Sequence, residues 1–248
     1  MIVDILTGAV RGGTSILFAG LGETVSQRSG VINLGTEGSM LVGALGGYAM
    51  TVQTGNPWVG ALAGAAAGAL LALLHAVLVV TRGANQLASG LTLYFFALGV
   101  TALFGVSYVS TPIQGFTRVE VPLLSDIPVL GPVLFRQDPL TYLALVAAPV
   151  IWWVLFRTRA GLLLRTAGER ADALEVHGYR TARVRYLAVV SGGALAGLGG
   201  AHLSLAYAGS WFAPRLMTST ACRADSRAPA AAPARAPTQG LPDCTVMA

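Results

Sequence analysis

The chain contains no lysine and few charged residues of any kind. All 16 basic residues are arginine, 11 residues are acidic, and only 11% of the 248 residues carry a charge. Soluble domains have about 25% charged residues, so this composition, with 54% hydrophobic residues, indicates an integral membrane protein. The net charge of +5 would also suit a nucleic-acid-binding protein. Arginines in loops on one side of a bilayer explain the charge better, and we expect no nucleic-acid partner.

Catalytic and metal-binding motifs are missing from the sequence. It has no HExxH, GxSxG, GxxxxGK[ST] or dinucleotide-binding pattern, so neither peptidase chemistry nor nucleotide hydrolysis has a carrier in it. The two cysteines, Cys222 and Cys244, lack metal-ligand spacing. We therefore expect no enzyme activity, no metal and no cofactor, and any ATP has to be bound by another polypeptide.

Long apolar runs predict an all-α polytopic transmembrane bundle, because about 20 apolar residues are needed to cross a bilayer as a helix. Six candidate spans are predicted: residues 5–22, 31–52, 57–80, 87–110, 139–156 and 184–208. The first has no basic leader and does not resemble a cleaved signal peptide. It carries Arg11, which is costly in hydrocarbon without a partner. Residues 1–10 therefore either belong to the span or lie on the membrane surface.

The arginines predict the orientation of the chain. Residues 157–185 contain seven arginines and three acids between two apolar spans, and the positive-inside rule places such a loop in the cytoplasm. The turns at Arg28 and Arg82 then lie on the same side, because two spans separate each from the next. Residues 52–57 and 111–138 fall outside, and within the latter the apolar, proline-punctuated residues 122–135 are expected on the protein surface or the interface.

Small residues predict helix packing surfaces. Gly60, Gly64 and Gly68 recur at four-residue spacing, and Gly193 and Gly197 do the same. Helices approach closely in lipid where such residues form a flat face. We interpret these glycines as packing positions rather than as transport residues.

Few polar residues are predicted at membrane depth. Glu37 is the only carboxylate within a predicted span, in the glycine-containing run of residues 30–40 that also holds Asn33. It either contacts substrate or caps a broken helix, or else it pairs with Arg28 near the cytoplasmic face.

A second polar group, made of Asn85, Gln86 and Ser89, begins the fourth span. These residues either line a passage or cap and start that helix. With Asn33 and Glu37 they are the candidate translocation residues. His75 and His202 are lone imidazoles, for which hydrogen bonds between helices are expected rather than ligand or proton-relay roles.

Five runs carry a resemblance to a known family: residues 22–48, 55–80, 82–93, 124–135 and 168–205. They resemble the permease subunits of bacterial ABC importers of the simple-sugar and nucleoside type, relatives of the ribose and branched-chain amino-acid permeases. The similarity runs in order over about residues 10–217. It implies a multi-pass protein of the bacterial cytoplasmic membrane that moves nucleosides or simple sugars by alternating access. No residue separates the two substrate classes, although the outer loop and the NLGTEG run look closer to the nucleoside branch.

The resemblance also implies a cytoplasmic coupling helix, whose pattern in the family is similar to Gly168, Glu169, Ala171, Ala173 and Gly178 here. Small residues permit close docking, Glu169 can pair across an interface, and Gly178 can end the helix. The partners implied are ABC ATPase subunits, a second permease subunit, identical or homologous, an extracellular substrate-binding lipoprotein and membrane lipid. The simpler interpretation of the loop is a positive-inside anchor.

Residues 219–248 depart from the family pattern. They are rich in Ala, Pro and Arg, and their composition predicts neither a span nor a packed segment. We expect a transmembrane domain over residues 1–218 that lacks the last helices of a full permease, followed by an aberrant, frameshifted tail. A natural disordered tail is the alternative.

Two rival functions are an ion-coupled secondary transporter, for which only Glu37, His75 and His202 could carry the ion, and a non-transporting assembly subunit.

Overall fold

The computed structural model describes residues 2–109, 113, 115–117, 119–120, 136–208 and 211. These residues lie within the compact unit Met1–Pro214. The predicted surface segment 122–135, the predicted domain boundary after residue 218 and the tail 219–248 lie outside the described residues.

The described chain is a bundle of helices, as the apolar runs predicted. Its eight α-helices are α1 (Ile2–Arg28), α2 (Thr36–Thr54), α3 (Pro57–Ala76), α4 (Gln86–Gly105), α5 (Pro139–Arg157), α6 (Arg159–Glu169), α7 (Ala171–Val176) and α8 (Thr181–His202). π-Helical turns Val77–Thr81 and Leu203–Ala208 extend α3 and α8, and a 3₁₀ turn, Val106–Tyr108, extends α4. Two-residue strands β1 (Val119–Glu120) and β2 (Arg136–Gln137) pair antiparallel.

Five helical segments among the described residues are long and apolar enough to cross a membrane: Ile5–Arg28, Pro57–Thr81, Gln86–Tyr108, Pro139–Arg157 and Thr181–Ala208. The second predicted span, residues 31–52, corresponds to α2, which is not one of these five segments. It begins at Thr36, and it holds Glu37, Ser39, Thr51 and Gln53. A helix enclosed by other helices is not solvated by lipid, and α2 packs between α3, α8 and α4. Polar residues are therefore tolerated in it.

The first helix differs from its prediction. α1 runs without interruption from Ile2 to Arg28, so the alternative in which residues 1–10 form a separate surface segment is wrong. The basic region 157–185 is not an open loop but contains α6, α7 and the first turn of α8. We call α6 and α7 together the basic hairpin.

Glycine contacts hold α2, α3 and α8 together, which confirms the predicted packing positions. A Cβ atom added to Gly64 would lie 2.7 Å from the backbone oxygen of Gly43, and one added to Gly43 would lie 2.5 Å from the Cα of Gly197. A side chain larger than hydrogen does not fit at these crossings without moving a backbone. The core of the bundle therefore depends on backbone contact.

Candidate functional site

Three arginine-bearing segments meet at one end of the bundle, which we call the arginine end. The turn after α1 contacts the last turn of α6, since a Cβ on Gly30 would lie 3.1 Å from the Cα of Gly168. Arg185 of α8 donates hydrogen bonds to the carbonyl oxygens of Ser29, at 3.3 Å, and Ala167, at 3.1 Å. The hydroxyl groups of Thr81 and Tyr186 are hydrogen bonded, which brings the segment before Arg82 to the same place.

A non-helical connector, residues 29–35, lies at the centre of this end. Gly30 has a φ of +84°, a left-handed conformation that glycine adopts without strain. Around the connector, Gln86 accepts a hydrogen bond from the backbone nitrogen of Ile32 at 2.9 Å. Gly35 packs against α4, since a Cβ on it would lie 3.1 Å from the carbonyl oxygen of Gly90. The connector thus touches α4 on one side and the basic hairpin on the other.

The carboxylate that holds the connector is Glu23, not Glu37. Glu23 is half-buried in α1 and accepts hydrogen bonds from the backbone nitrogen of Asn33, at 3.1 Å, and the hydroxyl of Thr36, at 2.7 Å. Glu37 is exposed in the first turn of α2 and makes no ion pair with Arg28. The statement that Glu37 is the only carboxylate in a span was wrong, because α1 extends past residue 22 and includes Glu23.

Four of the five candidate translocation residues lie around the connector. Asn33 is buried and accepts a hydrogen bond from the backbone nitrogen of Gly35 at 3.0 Å. Asn85 caps α4 by accepting from the backbone nitrogens of Leu87 and Ala88. Asn85 therefore has the capping role that the sequence left open. Gln86 is the third candidate at the connector, through its hydrogen bond with the backbone nitrogen of Ile32.

The fourth, Ser89, is hydrogen bonded to Nδ1 of His75 at 3.1 Å, and Nε2 of that ring lies 3.3 Å from the carbonyl oxygen of Ile32. The expectation of a satisfied interhelical histidine is confirmed at His75. It joins α3 and α4 to the connector.

The candidate coupling residues lie in the basic hairpin or directly after it, and they differ in their contacts and exposure. Gly168 and Glu169 are both exposed, but a Cβ on Gly168 would lie 3.0 Å from the backbone nitrogen of Gly30. Ala171 and Ala173 are half-buried in α7. Gly178 has a φ of +81° and follows α7; its backbone nitrogen donates to Glu175, as that of Tyr179 does to Leu174. This pair of bonds is a Schellman motif, so Gly178 does end the short helix.

Sequence reasoning missed the apolar residues that the hairpin exposes. Val176, the last residue of α7, is 85% exposed, and Tyr179, three residues after it, is 51% exposed. Between α6 and α7 lies a groove of about 430 Å³, lined by residues that include Leu162, Leu163 and Ala173. Apolar side chains outside the spans that point away from the bundle are typical of a contact surface for another protein. The sequence signal for this surface was Val176 and Tyr179, an apolar and an aromatic residue on either side of Gly178, the glycine expected to end the helix.

The opposite end of the bundle contains a buried ion pair. Arg11 Nε donates to Asp138 Oδ2 at 3.0 Å, and its guanidinium also donates to the carbonyl oxygen of Ala206. Asp138 is fully buried. The sequence indicated that Arg11 needs a partner but did not identify Asp138, which is the last residue of the predicted outer loop 111–138.

His202 lies beside this ion pair and links three helices. Its Nδ1 is 2.9 Å from the hydroxyl of Ser15 in α1, and its Nε2 is 3.4 Å from that of Thr141 in α5. The expectation of a satisfied interhelical histidine is confirmed here too. No group of three or more metal-ligating side chains occurs within the part of the chain that the structure describes.

Comparison with known proteins assigns the family. Residues 5–221 match the family described as "Branched-chain amino acid transport system / permease component". The chain belongs to this permease family. No solved structure matched the permease.

Named relatives fall into two groups. The permease is 43% identical over 211 residues to TsgC13 of Haloferax volcanii, provisionally named a glucose ABC transporter permease protein, covering 84% of this chain and 64% of that one. It is 38% identical over 210 residues to the nucleoside ABC transporter permease protein NupC of Lactococcus lactis, covering 80% and 66%. It is 35% identical over 197 residues to the guanosine ABC transporter permease protein NupQ of Bacillus subtilis, covering 75% and 62%. The permease thus spans less than two thirds of the length of these relatives.

Proposed function

We propose that the chain is the membrane-spanning permease subunit of an ABC importer for nucleosides or simple sugars. A separate ATPase drives its alternation between outward and inward states. The family assignment supports this proposal, and the names of the relatives supply the two substrate classes. The observation that carries the mechanism is the contact of Gly168 with Gly30. Through it, a displacement of the basic hairpin reaches the connector, and the connector touches α4.

The basic hairpin is the proposed docking site for the ATPase, which acts from the cytoplasm. Val176 and Tyr179 supply exposed apolar surface, and the exposed Glu169 supplies a charge that can pair with an arginine of the partner. Gly168 contributes differently from the expectation. It is exposed, as docking requires, but its close contact is with Gly30 of the connector, through which it transmits force.

The substrate passage in this proposal runs beside the connector before it reaches the cytoplasm, where Asn33, Gln86 and Ser89 gather amide and hydroxyl groups. Such groups hydrogen bond to the hydroxyls of a sugar or of a ribose, which both substrate classes share. An exterior lipoprotein delivers the substrate, and a second permease subunit, identical or homologous, completes the passage. We propose a bacterial cytoplasmic membrane as the location, with the arginine end inside.

Reconstitution tests the proposal. The permease is placed in proteoliposomes with candidate ATPase, second permease and binding-protein subunits, and uptake of labelled guanosine and glucose is measured with and without ATP. We expect uptake of one of the two that requires ATP and is insensitive to a proton gradient. Uptake that follows the proton gradient without ATP would instead identify a secondary transporter.

A variant pair tests the docking site in the same preparation. Val176→Asp places a charge at the exposed end of α7 and should reduce ATPase association at least tenfold, since apolar anchors dominate such interfaces. Gln53→Asp, at an exposed position of the opposite end, is the matched control and should leave association unchanged. Equal association of both variants would remove α7 from the interface.

A further inference from the structure

Two guanidinium groups lie near a single phenyl ring at the arginine end. The Cζ of Arg28, at the end of α1, lies 5.7 Å from the ring centroid of Phe156, and that of Arg165, in α6, lies 5.3 Å from it. Trp152 packs against the same ring with centroids 6.0 Å apart. We call these four residues the arginine–aromatic cluster. It joins α1 to the consecutive helices α5 and α6, which are distant from α1 in the sequence.

The positive charge of the cluster is not neutralised within the described chain. There, neither Arg28 nor Arg165 forms an ion pair, and Nε of Arg165 is buried without a hydrogen-bond acceptor. A cation at the carboxyl end of α1 is favoured by the helix dipole, which explains Arg28 alone. It does not explain a second guanidinium on the same ring. Two like charges brought together by a fold call for an anion between or beside them.

The cluster lies at the boundary between the apolar bundle and its basic end. Phe156 is the penultimate residue of α5, a segment apolar enough to cross a membrane. Trp152 is 56% exposed and Phe156 is 42% exposed, as is usual for aromatic residues at the level of lipid headgroups. α6, which follows, is amphipathic and carries Arg159 and Arg165, which suits a helix at the interface.

From this placement we propose that the arginine–aromatic cluster binds the phosphate of an anionic membrane phospholipid. The two guanidinium groups donate to its phosphate oxygens, and the exposed faces of Phe156 and Trp152 contact the glycerol and the first methylenes. Basic pockets between helices on the cytoplasmic side bind lipid headgroups in this way. A free phosphate ion would use the arginines but would leave the aromatic surface uncovered, so the lipid is the occupant that fits both parts. The inference requires a membrane-spanning chain but neither a particular substrate nor an ATPase.

Native mass spectrometry of the purified full chain measures the binding. Phosphatidylglycerol or phosphatidylcholine is added stepwise in detergent, and inorganic phosphate is added as a competitor. We expect one tightly retained phosphatidylglycerol, preferred over phosphatidylcholine at least tenfold and not displaced by millimolar phosphate. Each surface arginine contributes about a fivefold change in affinity for anionic lipid. The double variant Arg28→Gln/Arg165→Gln should therefore bind phosphatidylglycerol about 25-fold more weakly.

Matched variants decide whether the loss belongs to the cluster. Arg159→Gln removes one charge from α6, the helix that carries Arg165. Arg159 lines the groove beside Leu162 instead of contacting the phenyl ring, so this variant should keep the preference for phosphatidylglycerol. Phe156→Leu keeps both charges but removes the ring, and should weaken binding several-fold. It also replaces the double variant if that protein does not fold. An equal loss in Arg159→Gln, or displacement by inorganic phosphate, would overturn the proposal. So would ATPase subunits binding through Arg28 and Arg165 with no lipid preference.

Discussion

At the scale of single residues, the ion pair of Arg11 and Asp138 is the contact whose loss should damage the fold most. Asp138 is fully buried and Arg11 is 17% exposed. Replacing the acid by Asn leaves the guanidinium inside the bundle without its counter-charge. Removing one partner of a buried pair costs about 3–5 kcal/mol. We therefore expect Asp138→Asn to lower the thermal stability of the detergent-purified protein sharply.

The matched control for this change is Asp172→Asn in α7, which removes the same charge from an exposed position and should have no effect on stability. The double variant Arg11→Gln/Asp138→Asn should recover part of the loss, because no unpaired charge remains. If Asp138→Asn melts at the same temperature as Asp172→Asn, the ion pair does not support the bundle.

At the scale of elements, the close packing of α2, α3 and α8 limits how large a side chain their glycine positions can carry. Gly64→Ala would push a methyl group against the backbone oxygen of Gly43, 2.7 Å away. Overpacking of this kind costs about 1–3 kcal/mol, and here a backbone would have to move. We expect a clearly lower melting temperature and less folded protein in the membrane.

Gly99 in α4 provides the comparison. A Cβ on this glycine would meet nothing within 4 Å, and alanine is favoured over glycine in a helix by about 1 kcal/mol. Gly99→Ala should therefore be neutral or slightly stabilising in the same melting measurement. A Gly64→Ala protein as stable as Gly99→Ala would mean that α2 and α3 are not in close backbone contact.

The helices and their glycine faces could be predicted because both signals are local in the sequence. The connector could not: residues 30–35 are apolar enough to read as the start of a span. The connector packs against Gly90 and Gly168, which lie far along the chain, and these contacts hold residues 30–35 in a non-helical conformation. The partner of Arg11 was hidden for the same reason, since 127 positions separate it from Asp138. The coupling residues were located by resemblance, but only the fold shows that Gly168 lies against Gly30 of the connector.

At the scale of the whole molecule, the two ends of the bundle have different chemistry. One end holds the connector, the basic hairpin and the turns at Arg28 and Arg82. The other holds the Gly55 turn, the ring contact of Trp58 with Phe116 and the buried pair of Arg11 with Asp138. α2 runs between them antiparallel to α3, although it is not apolar enough to count as a span by composition. The predicted orientation needs six crossings, so it depends on α2 as well as on the five apolar segments, and it stays a prediction.

This orientation predicts the accessibility of single cysteines introduced at the two ends. In a background of Cys222→Ser and Cys244→Ser, Asp172→Cys reports on the arginine end and Gln53→Cys on the other; both positions are exposed. With a membrane-impermeant thiol reagent, we expect intact cells to be labelled only at position 53 and inverted vesicles only at position 172. Labelling of both in intact cells would mean that one of α3, α4 and α5 does not cross, because these three helices separate the two positions. The reversed pattern would place the basic hairpin outside, where no cytoplasmic ATPase reaches it.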